Sequence, residues 1–130
     1  DGRLMSNAPA GRFCWMDLAA TDAARAVKFY TELFGWSART QAANGGNFVR
    51  ISHGGRDIGS LYQMKRSMLK SGVVSHWTPY VRVNDAEAAS RRAAALGGAV
   101  AVEPFAVDAM ARIALIVDPV GGAFGLWEEP

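Results

Sequence analysis

Apolar residues recur at helical spacing in two segments of the chain. The first segment runs from Asp22 to Phe34 and the second from Asp85 to Leu96. The first carries an apolar stripe made of Ala23, Ala26, Val27, Tyr30, Leu33 and Phe34, and the second a stripe made of Ala89, Ala93 and Leu96. This spacing predicts two amphipathic helices, each with its stripe buried against a sheet.

Both predicted helices are bounded by residues that favour helix ends. Thr21 is the expected N-cap of the first helix, and Gly35 stands where a left-handed C-cap would lie. Asn84 and Glu87, three residues apart, resemble a capping box at the start of the second helix, and Gly97 follows its end.

Short runs suited to β-strands stand before and after each helix. Phe13 to Leu18 and Thr78 to Val83 precede the two helices. The runs that follow are residues 48–52 and 57–62 after the first helix, and residues 99–102, 111–117 and 123–127 after the second. Glycine-rich turns separate several of these runs, as hairpins require.

The two halves of the chain share one order of landmarks. Asp22 and Asp85 begin the helices, and corresponding glycines and strand residues recur at offsets of 62 to 66 residues. We interpret this as a tandem repeat of one βαβββ unit in an α+β protein. The alternative is a chance alignment of two amphipathic helices in an α+β domain.

The repeat predicts the boundaries of the domain and of its two modules. Residues 1–11 are polar and rich in glycine, alanine and proline, and are predicted to be a tag and a disordered N-terminus. A single domain is expected over residues 12–128, with module one at about 12–63, a linker at about 64–75 and module two at about 76–128.

Composition excludes several classes of protein. Half of the 130 residues are hydrophobic and a fifth are charged, which excludes intrinsic disorder. No apolar run approaches the roughly 20 residues of a membrane helix. A single cysteine, Cys14, excludes an intrachain disulfide. The net charge of +2 is too small to indicate a nucleic-acid-binding surface. With no leader segment in the sequence, a cytoplasmic location is expected, with neither nucleic acid nor membrane as a partner.

Several motifs in this order resemble a known superfamily. Phe-Tyr-Thr-Glu-Leu-Phe-Gly-Trp at 29–36, Leu-Gly-Gly at 96–98, Asp-Pro at 118–119 and Phe-Gly-Leu-Trp-Glu at 124–128 are similar to the glyoxalase/bleomycin-resistance/extradiol-dioxygenase superfamily, also called vicinal oxygen chelate. The resemblance covers about residues 11–128. It implies two βαβββ modules forming an open, cup-shaped mixed sheet, with helices on the convex side and a small-molecule site on the concave side.

The resemblance also implies four metal positions, and this sequence does not fill them. Metal-dependent members place His or Gln on the first strand of each module and Glu on the last strand. These positions fall on Phe13, Thr78, Gly59 and Gly125, and a one-residue slip gives Cys14, Trp77, Ser60 and Phe124. Neither set suits a divalent cation. Only His53 and His76 exist in the chain, so we predict no catalytic metal, no cofactor and no catalytic residue.

Strand alternation predicts which side chains line the concave side. Cys14, Met16 and Leu18 are expected to face the helices. The expected ligand-binding residues are Phe13, Trp15, Asp17, Gly59, Leu61, Thr78, Tyr80, Arg82, Gly125 and Trp127, with the two glycines leaving room for a ligand. Two alternatives stay open: Asp17 and Arg82 pair with each other, and the tryptophans fill the concavity as ordinary core.

This lining predicts a protein that binds a small aromatic or amphipathic molecule without a metal, as bleomycin-resistance proteins sequester a drug. One alternative is a lyase, isomerase or dioxygenase of the same superfamily, either metal-dependent or using an acid/base pair from Asp17, Tyr80 or His76. Another is a dimeric ligand sensor. The resemblance also implies a homodimer.

Overall fold

The computed structural model describes residues 9–130. In chain order its elements are β1 (Phe13–Ala20), α1 (Ala23–Phe34), β2 (Ser37–Ala43), β3 (Gly46–His53), β4 (Arg56–Gln63), α2 (Arg66–Lys70), β5 (His76–Arg82), α3 (Ala86–Ala95), β6 (Ala99–Val107), β7 (Ala111–Val117) and β8 (Ala123–Glu128). Apart from the short helix α2, this is the order β-α-β-β-β repeated twice. The predicted α+β class and the two βαβββ modules are confirmed.

Some boundaries differ from the sequence prediction. Strand β2 was not predicted as a separate run, β6 continues to Val107, and α2 forms inside the predicted linker. Residues 1–8 of the predicted disordered N-terminus lie outside the described residues. Gly11, at the end of that segment, donates a backbone hydrogen bond of 2.7 Å to the carbonyl of Arg82.

The described chain divides into two compact units, and β1 contributes to both. Unit 1 is residues 16–77, and unit 2 is residues 9–15 together with 78–130. In unit 1 the strand order is β2-β3-β4-β1, with β4 parallel to β1 and the other neighbours antiparallel. The core of unit 1 is formed by Leu18, Ala20 and Leu61, which α1 covers with Ala23, Ala26, Val27 and Tyr30.

Unit 2 has apolar clusters on both faces of its strands. The backbone amide of Arg82 donates to the carbonyl of Arg12 at 2.8 Å, β5 runs parallel to β8, and β7 and β6 follow antiparallel. On one face, Ala114, Ile116 and Leu126 pack against Ala89 and Ala93 of α3. The other cluster consists of Cys14, Trp15, Tyr80, Ala111 and Trp127.

Aspartates, and not the residues before them, cap the two long helices. The carboxylate of Asp22 accepts a hydrogen bond from the amide of Arg25 at 3.1 Å, and that of Asp85 accepts one from Ala88 at 3.0 Å. The predicted caps, Thr21 and the Asn84 capping box, are therefore each one residue early. A carboxylate suits this position because it satisfies a free amide and also lies at the positive end of the helix dipole.

The predicted apolar stripes are only partly buried. Leu33 is 57% exposed, Phe34 is 51% exposed and Leu96 is 64% exposed, although all three were expected to face a sheet. They lie in the last turns of their helices or, for Leu96, at the C-cap. Gly35, with φ 70°, is the left-handed C-cap that the sequence predicted.

Among the described residues, no helix is long and apolar enough to cross a bilayer.

Candidate ligand-binding site

Three aromatic side chains form the centre of one apolar cluster of unit 2. Trp15, Tyr80 and Trp127 are only 3% to 5% exposed. The ring centroids of Trp15 and Trp127 are 5.4 Å apart at an interplanar angle of 32°, and those of Tyr80 and Trp127 are 5.9 Å apart at 78°. Tilted and edge-to-face pairs at these separations attract each other. We call these three rings the aromatic cluster.

Parallel pairing of β5 and β8 determines which side chains join this cluster. Tyr80 lies opposite Gly125 and Arg82 opposite Trp127, while Leu126 between them packs with α3. The structure therefore agrees with the face that strand alternation predicted for Tyr80 and Trp127. Their contact with a ligand stays a prediction.

The space left by Gly125 is filled by protein. A Cβ atom added at Gly125 would overlap the Cδ2 and Cε2 atoms of the Tyr80 ring. Gly125 therefore allows the tyrosine ring to lie directly on the backbone of β8, and the expectation that this glycine leaves room for a ligand is wrong for the described conformation.

The indole of Trp127 carries an unsatisfied hydrogen-bond donor. Its Nε1 atom is buried and has no hydrogen-bond partner among residues 9–130. Leaving a buried donor unpaired costs about 1–3 kcal/mol, so such groups are uncommon in native proteins. A ligand with an acceptor oxygen would recover this hydrogen bond.

Strand β7 and the turn before it cover the cluster with aliphatic side chains. Ala111 is buried in the same cluster, and Met110, Ile113 and Leu115 pack on it while partly exposed. Sequence reasoning left these residues out, although the period-two spacing of 111, 113 and 115 could have identified them. Met110 is the last residue of a tight turn in which its amide donates to the carbonyl of Val107 at 3.0 Å and Asp108 adopts a positive φ of 45°.

Cys14 is buried beside the aromatic rings, and its thiol is a poor nucleophile. Burial raises the pKa of its thiol to about 12; the carboxylate of Glu129 acts in the same direction, and the guanidinium of Arg82 opposes both. At neutral pH the side chain is therefore a neutral thiol and a poor nucleophile. Its place in this cluster also differs from the expectation that it faces a helix.

The remaining predicted residues of unit 2 lie nearer the surface. Phe13 is 64% exposed, whereas Thr78 and Arg82 are half-buried. The structure thus joins four of the seven predicted residues of this unit, Trp15, Tyr80, Gly125 and Trp127, into one packed group.

In unit 1 the predicted residues are separated by the sheet. Asp17 accepts a hydrogen bond of 2.9 Å from the hydroxyl of Ser60, its register partner on β4. Burial and the Asp17 carboxylate together raise the pKa of Tyr62. Leu61 pairs with Leu18 and packs under α1, so the prediction that Leu61 shares the face of Asp17 is wrong by one residue.

Gly59 serves backbone packing. A Cβ atom at this position would lie 2.7 Å from the carbonyl oxygen of Met16. Strands β1 and β4 therefore approach too closely for any side chain here, and Gly59 leaves no open space for a ligand.

The residues at the superfamily's metal positions do not fit a metal ion. Phe13 offers a hydrocarbon ring, Thr78 one hydroxyl, and Gly125 lies under the ring of Tyr80. Within residues 9–130 no group of three or more His, Cys, Asp or Glu side chains is placed to hold a cation. His76 is exposed at the start of β5, with Nδ1 2.8 Å from the carbonyl of Val74, and His53 ends β3.

Two βαβββ modules with this topology are the fold of a solved structure of methylmalonyl-CoA epimerase from Mycobacterium tuberculosis, with a TM-score of 0.67 at 17% identity over 95% of this chain and 92% of that one. The chain belongs to the glyoxalase-like domain family, whose model matches residues 15–127. The resemblance seen in the sequence motifs is thereby confirmed.

Among its relatives is the anthracycline biosynthesis protein DauV of Streptomyces sp. (strain C5), which is 32% identical over 98% of this chain and 49% of its own length. Another is the anthracycline biosynthesis protein DnrV of Streptomyces peucetius, 31% identical with the same coverage. The chain thus spans about half the length of these curated relatives.

A solved structure of methylmalonyl-CoA epimerase from Streptomyces coelicolor, in complex with 2-nitronate-propionyl-CoA, has the same fold. Its TM-score is 0.66 at 18% identity, over 93% of this chain and 96% of that one. At this identity the likeness shows the fold alone.

Proposed function

We propose that this protein binds a small, planar aromatic or amphipathic molecule at the aromatic cluster of unit 2, without a catalytic metal. The observation that carries the proposal is the buried, unpaired Nε1 of Trp127 within a group of three aromatic rings. Ring faces supply stacking surface, and one oriented donor fixes the position of an acceptor oxygen.

Ligand entry requires a side chain to move, because the three rings are almost fully buried. Met110 is the best candidate, since it is only partly buried on the cluster and is the last residue of a turn. Methionine is unbranched and adapts its shape easily. In this proposal the thioether of Met110 occupies the ligand's place and is displaced on binding.

The names of the relatives support an aromatic ligand. Both DauV and DnrV are described as anthracycline biosynthesis proteins, and anthracyclines contain a planar ring system bearing carbonyl oxygens. Such a molecule matches a site made of aromatic faces with one hydrogen-bond donor. Solved structures of this fold also hold small molecules, among them a CoA derivative.

The experiment is calorimetric titration with anthraquinone-2-sulfonate, a soluble planar aryl ketone, beside octanoate as an aliphatic comparison. We expect binding of the first compound only. Trp127→Phe keeps an aromatic ring but removes the N–H donor, and should weaken binding about tenfold, which is the net value of one hydrogen bond. Trp36→Phe in unit 1 is the matched control and should leave binding unchanged.

Absence of binding by the unmodified protein, or equal binding by Trp127→Phe and the control, would overturn this proposal. A second arm measures thermal unfolding with Ni²⁺, Mn²⁺, Zn²⁺ or Fe²⁺ alone. Strong stabilisation by a cation would contradict the proposal that the protein works without a metal, because a ligand that binds only the folded state raises the melting temperature.

We also propose that the protein is a cytoplasmic homodimer, which stays a prediction from the superfamily resemblance and from composition.

A further inference from the structure

Unit 2 contains a cavity between α3 and the strands that this helix covers. Its volume is about 320 Å³, at the lower end of the range of about 300–1,000 Å³ that small-molecule sites occupy. Two of its lining residues, Ile116 and Leu126, are buried core residues of β7 and β8. They belong to the apolar cluster under α3, so the cavity is separate from the aromatic cluster. We call it the α3 cavity.

The α3 cavity is open because α3 covers its strands with small side chains. Ala89 and Ala93 line it, and Leu96, at the C-cap, lines it while remaining 64% exposed. In unit 1, by contrast, α1 packs on its strands with the larger side chains of Val27 and Tyr30 as well as with alanines. The α3 cavity therefore has apolar walls and enough free volume for a branched aliphatic side chain.

Two opposite charges border this apolar space. Arg92, in the last turn of α3, and Asp118, in the turn between β7 and β8, both line the α3 cavity. Within residues 9–130 the guanidinium of Arg92 forms no ion pair, with Asp118 or with any other carboxylate. The Oδ1 atom of Asp118 accepts hydrogen bonds from the amides of Val120 at 2.9 Å and Gly122 at 2.8 Å, so the carboxylate is fixed by its own turn.

We propose that the α3 cavity binds a free apolar α-amino acid, with the ligand's side chain in the cavity, its carboxylate on Arg92 and its ammonium on Asp118. An amino acid carries both charges on neighbouring groups beside one apolar side chain, and so it complements all three features of the site. Hydrogen bonds between a guanidinium and a carboxylate are charge-assisted and can be bidentate. A simple carboxylate would bring its charge beside Asp118, and a simple amine would bring its charge beside Arg92, so the site disfavours both.

The position of the charges predicts weak binding. Arg92 is exposed, and ion pairs near solvent are screened and contribute little free energy. Most of the affinity must then come from burial of one aliphatic side chain, which for so small a ligand is limited. We expect a dissociation constant on the order of 1 mM for L-leucine.

A titration followed by amide NMR spectroscopy tests both the ligand and its location. L-leucine is added to about 20 mM, well above the expected constant. The amide signals of Gly98 and Val120, at the α3 cavity, should shift, whereas the indole N–H signal of Trp127, in the aromatic cluster, should not. N-acetyl-L-leucine lacks the ammonium and L-leucinamide lacks the carboxylate, so each should bind at least tenfold more weakly than leucine.

Two charge-removing variants test the residues. Arg92→Gln and Asp118→Asn should each weaken leucine binding about tenfold, because each leaves one charge of the ligand without its partner. Asparagine keeps the acceptor oxygen that holds the turn, so a loss in Asp118→Asn reflects the charge. Arg91→Gln removes the same charge from a neighbouring exposed arginine of α3 that does not line the cavity; this control should bind leucine like the unmodified protein.

Unchanged signals of Gly98 and Val120 at about 20 mM leucine would overturn the proposal, and so would a shift confined to the indole of Trp127. Leucinamide or N-acetyl-leucine binding as well as leucine would refute the role of the two charges, as would equal affinities of Arg92→Gln and Arg91→Gln. The calorimetric test of the aromatic cluster uses another ligand and other residues, so either proposal can fail while the other stands.

Discussion

Replacing Gly125 with alanine tests the packing of the aromatic cluster directly. The added Cβ would overlap the Cδ2 and Cε2 atoms of the Tyr80 ring, so the ring must move or β8 must shift. Overpacking of this kind costs about 1–3 kcal/mol, while alanine in a strand recovers roughly 0.5–1 kcal/mol of backbone entropy. We expect a net loss of about 1–2 kcal/mol in the free energy of unfolding.

The cost of Gly125→Ala depends on the ring of Tyr80, and a double-mutant cycle can isolate this dependence. Tyr80→Ala should by itself cost about 3–5 kcal/mol, as large-to-small changes of buried aromatic residues do. With the ring removed, Gly125→Ala should cost nothing or stabilise slightly. The coupling energy between the two sites should therefore be about 1–3 kcal/mol.

Urea unfolding of the four proteins, followed by circular dichroism, measures this cycle. Gly46→Ala is the control, because a Cβ there meets nothing closer than 3.8 Å. The reasoning fails if Gly125→Ala is as stable as the unmodified protein, or if its cost is the same with and without the Tyr80 ring.

Other predictions concern the helix caps and the buried thiol. Asp22→Ala should lower the free energy of unfolding by about 1 kcal/mol, and Thr21→Ala should lower it less. Urea unfolding measures both effects. Equal effects would contradict the assignment of Asp22 as the N-cap. Iodoacetamide at pH 8 should not label Cys14 until the protein is unfolded, because the folded pKa is about 12. The same shift means that the unfolded chain loses the thiol proton first, so the contribution of Cys14 to stability should be constant below about pH 9 and fall between about pH 9 and pH 12. If the stability of Cys14→Ala falls as steeply in this range, the thiol is not the cause.

Elements with strong periodicity were predictable from the sequence, and β2 was not. Its residues, Ser-Ala-Arg-Thr-Gln-Ala-Ala, contain no large apolar side chain, and most of them are exposed. The strand is ordered by hydrogen bonds to β3 along its full length. Backbone pairing of this edge strand with β3 does not require an alternation of apolar and polar residues, so the sequence pattern does not reveal it.

The face of a strand is harder to predict than its existence. A single-residue error in register exchanges the two faces, and this happened in β4, where Leu61 packs under α1 while Ser60 contacts Asp17. In β8, the apolar residues Phe124 and Leu126 marked the α3 face correctly. Strand β4 offered no such contrast, because Ile58, Leu61 and Tyr62 do not alternate.

The candidate site was predictable in its residue types and not in its packing. Trp15, Tyr80 and Trp127 were identified by alternation, but their mutual burial depends on contacts between β1, β5 and β8. The role of Gly125 likewise depends on the position of the Tyr80 ring. The identity of a residue at one position does not specify how far its side chain lies from residues on other strands.

The division of β1 between the two units has a consequence for the newly synthesised chain. Residues 16–77 can complete their contacts as soon as residue 77 has left the ribosome. Residues 9–15 are made earlier, yet the carbonyl of Arg12 accepts a hydrogen bond from the backbone amide of Arg82, and the amide of Gly11 donates to the carbonyl of Arg82. The amino-terminal part of one strand must therefore wait through the synthesis of the whole first unit, and a translational pause shortly after residue 82 would give it time to pair.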